Sequence, residues 1–377
     1  MTRSIFWFAL LGAALLLAGC KKQPGDTSQI VIGEYGDMTG PTAVFGQGTH
    51  KGIQLAVDQI NASGGLLGKQ VQLVSEDDTG NQDQAVTVVK KLIDRDNVLG
   101  ILGEVASTRS LAGGGVCEQE HVPMISPSST NPDVTKNRDW VFRVCFTDDF
   151  QGSTGAQFAI RKGWKKVAIL SSSNSDYSKK LSKFFSDAFS QSGQVVDWET
   201  YADGDTDFSA QLTRIQSKNP DAIYVPGYYT EIALILRQAR NNLNLNVPMF
   251  GGDGWDSQKI LDLGTISDGC YFTNHYSADD PRPSVQDFIK TYKAKYGEVP
   301  DSFGITGYDA ANVMFDAIKR AGKPDRQAVR DAIASTKDFP GAGGNITIDE
   351  NHNAKKPIVI LEIRGGKTHL ADTIQPN

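Results

Sequence analysis

From Ser28 onward, short apolar runs alternate with segments of helical periodicity. The runs lie at 30–32, 71–74, 98–102, 122–125, 141–144, 167–170, 222–225 and 248–250. Between them Ile53, Ala56, Val57 and Ile60 recur at i, i+3, i+4 and i+7. Leu181, Phe184, Phe185, Ala188 and Phe189 repeat the pattern, as do Val285, Phe288, Ile289 and Tyr292. That spacing places an apolar stripe on one helix face. Strand–helix–strand alternation along the whole chain predicts an α/β fold of parallel sheets covered by helices on both faces. So many strands fit two sheets of five or six better than one. Near the end, 345–348 and 357–363 read as closing strands around the polar turn 349–353. No low-complexity block or proline-rich linker marks a boundary, which predicts that the chain passes between lobes through short hinges.

Composition narrows the class. The chain has 377 residues, enough for two cores, with 39% hydrophobic and 22% charged residues. A formal net charge of −6 argues against a nucleic-acid binder with a basic face. At the N-terminus, Arg3 precedes an apolar run at 5–19, which suits a signal-peptide core and falls short of the ~20 residues that cross a bilayer. The run ends Leu17-Ala18-Gly19-Cys20, which resembles the bacterial lipobox, where the cysteine is diacylated and becomes the new N-terminus. A plain signal peptide with an incidental cysteine is the alternative. Residues 20–28 then read as a lipidated tether. Lipidation of Cys20 leaves Cys117, Cys145 and Cys270, and the two nearest in sequence, Cys117 and Cys145, are the preferred disulfide pair in an oxidising compartment.

Catalytic and cofactor signatures are thin. The run 46–52 approximates a dinucleotide fingerprint but has one residue too many before its third glycine. Asp203, Asp205 and Asp207 suggest a calcium loop, yet Phe208 replaces the turn glycine and Arg214 the bidentate acid. There is no G-x-S-x-G elbow and no H-E-x-x-H, and the five histidines are scattered. Glu76, Asp77 and Asp78 read as a hydrogen-bonding loop. No enzyme activity, metal or cofactor is expected.

Polar residues following the strand runs are more informative, because open α/β sheets bind ligands there. Ser107 reads as an N-cap whose helix start would welcome a carboxylate. Ser128 and Thr130 stand in a proline-stiffened hydroxyl loop, Tyr177 follows a serine-rich turn, Tyr228 follows Gly227, and Asp253 sits on a glycine turn. Hydroxyls for an anion, an acid for a cation and aromatics for apolar surface suit a zwitterion such as a free amino acid.

Residues 33–40 with Pro41, then 52–56, Ile60-Asn61 and Gly64-Gly65, resemble the opening of the branched-chain amino-acid-binding protein family. So do 125–132, Phe142-Arg143, Asp148 with Gln151-Gly152, and 307–310. The resemblance implies the type I periplasmic binding-protein fold, with two Rossmann-like lobes, three hinge crossings near Thr147, His275 and Gly343, and a ligand trapped between lobes as they close. The expected lobes are 29–147 with 276–342 and 148–275 with 343–377, after a 1–19 leader. It implies that Ser107 binds the α-carboxylate, that the backbone of Ser128 touches the ligand, and that Thr130 spans carboxylate and ammonium. Asp253 is the ammonium partner, where the Leu/Ile/Val-binding protein has Glu. Tyr177 and Tyr228 come from the second lobe. Phe45 replaces a tyrosine facing the ligand side chain and Phe303 matches a pocket phenylalanine, with helix-core packing as the alternative for each. The implied protein is a monomeric extracytoplasmic lipoprotein that hands an apolar amino acid to an ABC permease with its ATPase subunits. A sensory amino-acid or amide-binding protein of the same fold is the alternative.

Overall fold

The computed structural model describes residues 29–376, so the signal-peptide, tether and Cys20 expectations lie outside the described residues. Two sheets organise the chain. The first contains β1 (Gln29–Gly36), β2 (Gln70–Asp77), β3 (Gly100–Leu102), β4 (Met124–Ser126) and β5 (Val141–Arg143), all parallel, in the order β2-β1-β3-β4-β5. Helices α1 (Ala43–Ala62), α2 (Gln82–Asp94) and α3 (Ser107–Gln119) connect its strands. After β5 the chain enters α4 (Asp148–Arg161) and builds the second sheet from β6 (Lys166–Ser172), β7 (Gln194–Tyr201), β8 (Ala222–Tyr224), β9 (Met249–Gly251) and β10 (Tyr271–Asn274). Its helices are α5 (Asp176–Phe189), α6 (Ser209–Ser217), α7 (Tyr229–Arg237) and the short α8 (Gln258–Leu261). The chain then returns to the first lobe with α9 (Pro283–Tyr296), α10 (Ser302–Ala321) and α11 (Arg326–Ala334). A ribbon of β11 (Phe339–Gly341) and β12 (Gly344–Ile346) follows, and β13 (Ile358–Arg364) and β14 (Lys367–Ile374) complete the second sheet as β14-β13-β10-β9-β8-β6-β7.

The second sheet therefore has seven strands, and β13 runs antiparallel to both of its neighbours, β10 and β14. β7 and β14 escape the apolar-run pattern because they are edge strands, and an edge tolerates polar residues such as those of Gln194–Tyr201 and Lys367–Ile374. The expected closing strands exist but do not pair with each other: β12 pairs with β11, while β13 joins β10. The third crossing is not at Gly343. Ile346, Ile348 and Ala354 pack into the first lobe's core, His352 stacks on Phe142 with ring centroids 4.1 Å apart, and only Ile358 begins the return to the second sheet. Apolar side chains after Gly343 hold that segment to the first lobe and move the crossing to 355–357.

The expected Cys117–Cys145 disulfide is not made. Both thiols are free and buried, as is Cys270. Cys117 sits late in α3, where its carbonyl accepts from Val122 N ahead of β4. Cys145 lies beyond the other end of β5, and its Sγ hydrogen-bonds Ser129 O at 3.4 Å. The two occupy opposite ends of the sheet. The glycines at 46–52 serve packing: a Cβ on Gly52 would strike the Gly304 carbonyl and one on Gly46 the Asp37 carbonyl, so these positions let α1 lie close against α10 and β1.

Candidate ligand-binding site

The carboxyl ends of both sheets face one small cavity, of about 10 Å³. Its lining includes all eight expected residues: Phe45, Ser107, Ser128, Thr130 and Phe303 from the first lobe, and Tyr177, Tyr228 and Asp253 from the second. Val105 and Gly254 complete it, neither of which carried a sequence signal for the site.

The first lobe supplies hydroxyls and amides. Ser107 is the first residue of α3, not its cap; the capping position is Ala106, which offers no side-chain acceptor. The first-turn N–H groups of a helix have no partner within it, and here no side chain covers them. Ser107 Oγ accepts from Asn131 N at 3.2 Å and keeps its own proton to donate. The Ser128 hydroxyl is engaged with Thr306 Oγ1 of α10 at 2.7 Å. Thr130 Oγ1 is buried with no hydrogen-bond partner among the described residues. Behind it, Asp148 receives no hydrogen bond at either carboxylate oxygen among the described residues, and burial pushes its pKa well above the usual range.

The second lobe supplies a carboxylate and an aromatic wall. Asp253 is 4% exposed. Its Oδ1 accepts from Gln151 Nε2 at 2.8 Å and from Tyr177 OH at 3.0 Å, and its Oδ2 lies 3.1 Å from His275 Nε2. Among the described residues, no lysine or arginine pairs with it. Tyr177 and Tyr228 stack with interplanar angle 6° and centroids 5.2 Å apart. Phe45 meets Tyr228 edge-on at 5.7 Å and Phe303 at 4.2 Å. Phe45, Val105 and Phe303 are first-lobe residues, yet they pack into a core cluster otherwise built by the second lobe. The two readings of Phe45 and Phe303 thus coincide: they line the cavity and belong to a core that spans both lobes. Burial raises the Tyr177 and Tyr228 hydroxyl pKa values, which keeps both neutral donors.

Polar contacts close the rim. Asp176 N donates to Thr108 Oγ1 at 3.0 Å, and Asn131 Nδ2 donates to Asp176 O at 3.0 Å. Tyr229 OH and Thr230 Oγ1 both donate to Pro41 O, at 3.0 and 2.8 Å. Donors at one side, a carboxylate without a lysine or arginine at another and aromatic rings around them match the groups of a small zwitterion.

The periplasmic binding protein family model matches residues 29–368. This chain is a type I periplasmic binding protein of the branched-chain amino-acid-binding family. It is 32% identical to the Leu/Ile/Val-binding protein BraC3 of Rhizobium johnstonii over 89% of this chain and 92% of that protein. The structure of the leucine-binding protein LivK from Thermotoga maritima is similar at 41% identity and TM-score 0.88, covering 92% of this chain and 99% of the other. LivJ from Streptococcus pneumoniae, in complex with isoleucine, follows at 34% identity and TM-score 0.87, covering 92% and 100%. This binding protein has a solute-binding role and is no enzyme, in keeping with these relatives. Its family works outside the cytoplasmic membrane, and among the described residues no helix is long and apolar enough to cross one.

The calcium-loop aspartates serve local turns: Asp205 accepts from Ala202 N and Asp207 from Ser209 N, and no metal-ligand cluster occurs among the described residues. Gln151 and His275, which hold Asp253, carried no functional signal in the sequence. Asp148 and Gln151 were visible only as part of a family motif, without a role.

Proposed function

We propose that this protein captures a free branched-chain amino acid between its lobes and delivers it to an ABC permease, as a lipoprotein anchored through acylated Cys20. The observation that carries the ligand class is Asp253: a buried carboxylate held by Gln151, Tyr177 and His275 with no lysine or arginine beside it among the described residues. A buried carboxylate is costly unless paired, and a ligand ammonium supplies the missing charge. Ser107, Thr130 and the α3 amides receive the ligand carboxylate. Phe45, Val105, Tyr228 and Phe303 surround an aliphatic side chain. Neither lobe has both charged sites, so the ligand stabilises the closed arrangement.

A thermal-shift panel of free amino acids, aromatic acids and small amides on the mature protein tests this. Leucine, isoleucine or valine at ~1,000 times its dissociation constant should add about 4 kcal/mol of stability. Stabilisation only by ligands lacking an ammonium group would overturn the reading. Labelling with a fatty-acid analogue should mark the wild type and spare Cys20→Ala; equal labelling of both contradicts the anchor.

A further inference from the structure

Resting on that reading, we infer that His275 is a positioning residue: its Nε2–H orients the Asp253 carboxylate toward the ligand ammonium and ties that carboxylate to the hinge. His275 follows β10 directly, at the second crossing between lobes, and its side chain is 1% exposed. Nε2 lies 3.1 Å from Asp253 Oδ2, the oxygen that neither Gln151 nor Tyr177 reaches. Nδ1 is buried and has no hydrogen-bond partner among the described residues. The ring's polar function is therefore spent entirely on Asp253.

The opposite side of the ring is apolar. His275 stacks on Phe146 of the first crossing, with centroids 4.2 Å apart and planes 23° apart. Two crossings thus meet ring on ring, and one of those rings holds the site carboxylate. Neighbouring bonds fix the histidine backbone: His275 N donates to Asn274 Oδ1, Asn274 Nδ2 donates to Asp256 Oδ2, and Asp256 Oδ2 also accepts from Ser302 N of the first lobe. Gln151 Nε2 bridges Asp253 and Thr273 Oγ1, so β10 approaches the carboxylate by a second route. Rotation of the lobes about these crossings moves the ring that aims Asp253. Full ammonium binding and closure consequently arrive together.

The test separates the donor from the ring. His275→Gln keeps an amide donor at the Nε2 reach and loses the stack; His275→Phe keeps the stack on Phe146 and loses the donor. Calorimetric titration with L-leucine should show His275→Gln within a few-fold of wild type and His275→Phe weaker by roughly tenfold or more, the scale of a hydrogen bond to a charged group. In an Asp253→Asn background the two variants should differ little. Should His275→Phe fail to unfold cooperatively, His275→Leu takes its place. Equal affinity of the donor-less and wild-type proteins, equal losses for Gln and Phe, or the same difference in the Asp253→Asn background overturns the inference. If the wild type binds leucine and Asp253→Asn weakens it while the His275 variants do not, the functional reading stands and this inference alone falls. A wild type that binds no amino acid removes both.

Discussion

The first lobe buries an acidic cluster of its own, and setting it beside Asp253 shows what separates a structural carboxylate from a binding one. Glu104, Asp78 and Asp37 are each fully or almost fully buried near the ends of β1, β2 and β3. Arg109 from α3 stands among them, 3.0 Å from Glu104 Oε1 and 3.7 Å from Asp78 Oδ1, and it donates to Thr42 Oγ1 at 2.8 Å. Asp37 is further held by Gly40 N, Thr42 N and the Thr42 hydroxyl. Burial still pushes Asp78 up to about 8 and raises Glu104, with Arg109 opposing in both cases. That cluster has its cation built in. Asp253 and Asp148 have none, though both are as well buried. Asp309 follows the structural pattern, with Lys356 3.3 Å away and the Ala342 and Gly343 amides on its oxygens. The protein's own cations compensate the structural acids of the first lobe, whereas Asp253 at the cavity has no lysine or arginine beside it among the described residues.

The largest effect expected from this contrast is on folding. Arg109→Met removes the internal cation and should destabilise the protein by about 3–5 kcal/mol in urea unfolding, because two carboxylates lose their compensation. The deficit should shrink as pH falls, since Glu104 and Asp78 already have raised pKa values and protonation neutralises them. Unchanged stability would show that the cluster is not held by its arginine.

Ser107→Ala should act on binding and leave folding intact, weakening amino-acid affinity by about 1–3 kcal/mol in calorimetry. The α3 amides remain to hold the carboxylate, so a larger loss would mean that the hydroxyl, not the helix start, is the anion site.

The smallest effect concerns His50, a surface-side relative of the two clusters. Its Nδ1 lies 2.8 Å from the buried Glu34, whose hydrogen bond raises the His50 pKa from its ordinary 6.5 while burial opposes. A folded pKa raised above the unfolded one gives stability that is complete below 6.5 and is lost as pH rises through the folded value. His50→Gln should flatten urea-unfolding stability across that interval; an unaltered pH profile would remove His50 from it.

Much of this was legible in the sequence, for reasons that can be named. The Ile53–Ile60 stripe marked α1, and the fully buried runs marked the central strands, because burial on both faces demands continuous apolar residues. β7 and β14 were hidden by the polarity that sheet edges allow. The third crossing was displaced because Ile346, Ile348 and Ala354 reach back to the first lobe, a long-range contact that no local pattern encodes. Ser107, Ser128, Thr130, Tyr177, Tyr228 and Asp253 stood out because each follows a strand end, whereas Phe45 and Phe303 were visible only through the family resemblance. Gln151 was visible only as a motif residue and His275 only as a hinge position, because they act on Asp253 and not on the ligand, so only the folded geometry joins them to the site.

The most direct test pairs the protein's charge with the ligand's. Four affinities are measured by calorimetry: wild type and Asp253→Asn, each with L-leucine and with 4-methylpentanoate, which keeps the carboxylate and side chain but lacks the ammonium. Losing one member of a buried charge pair costs about 2–5 kcal/mol, so Asp253→Asn should bind leucine roughly 30-fold or more weakly. Wild type should prefer leucine over the deaminated acid by a similar factor, and in Asp253→Asn that preference should collapse. Leucine bound equally well by both proteins, or an undiminished preference in Asp253→Asn, would contradict the assignment of the ammonium to Asp253.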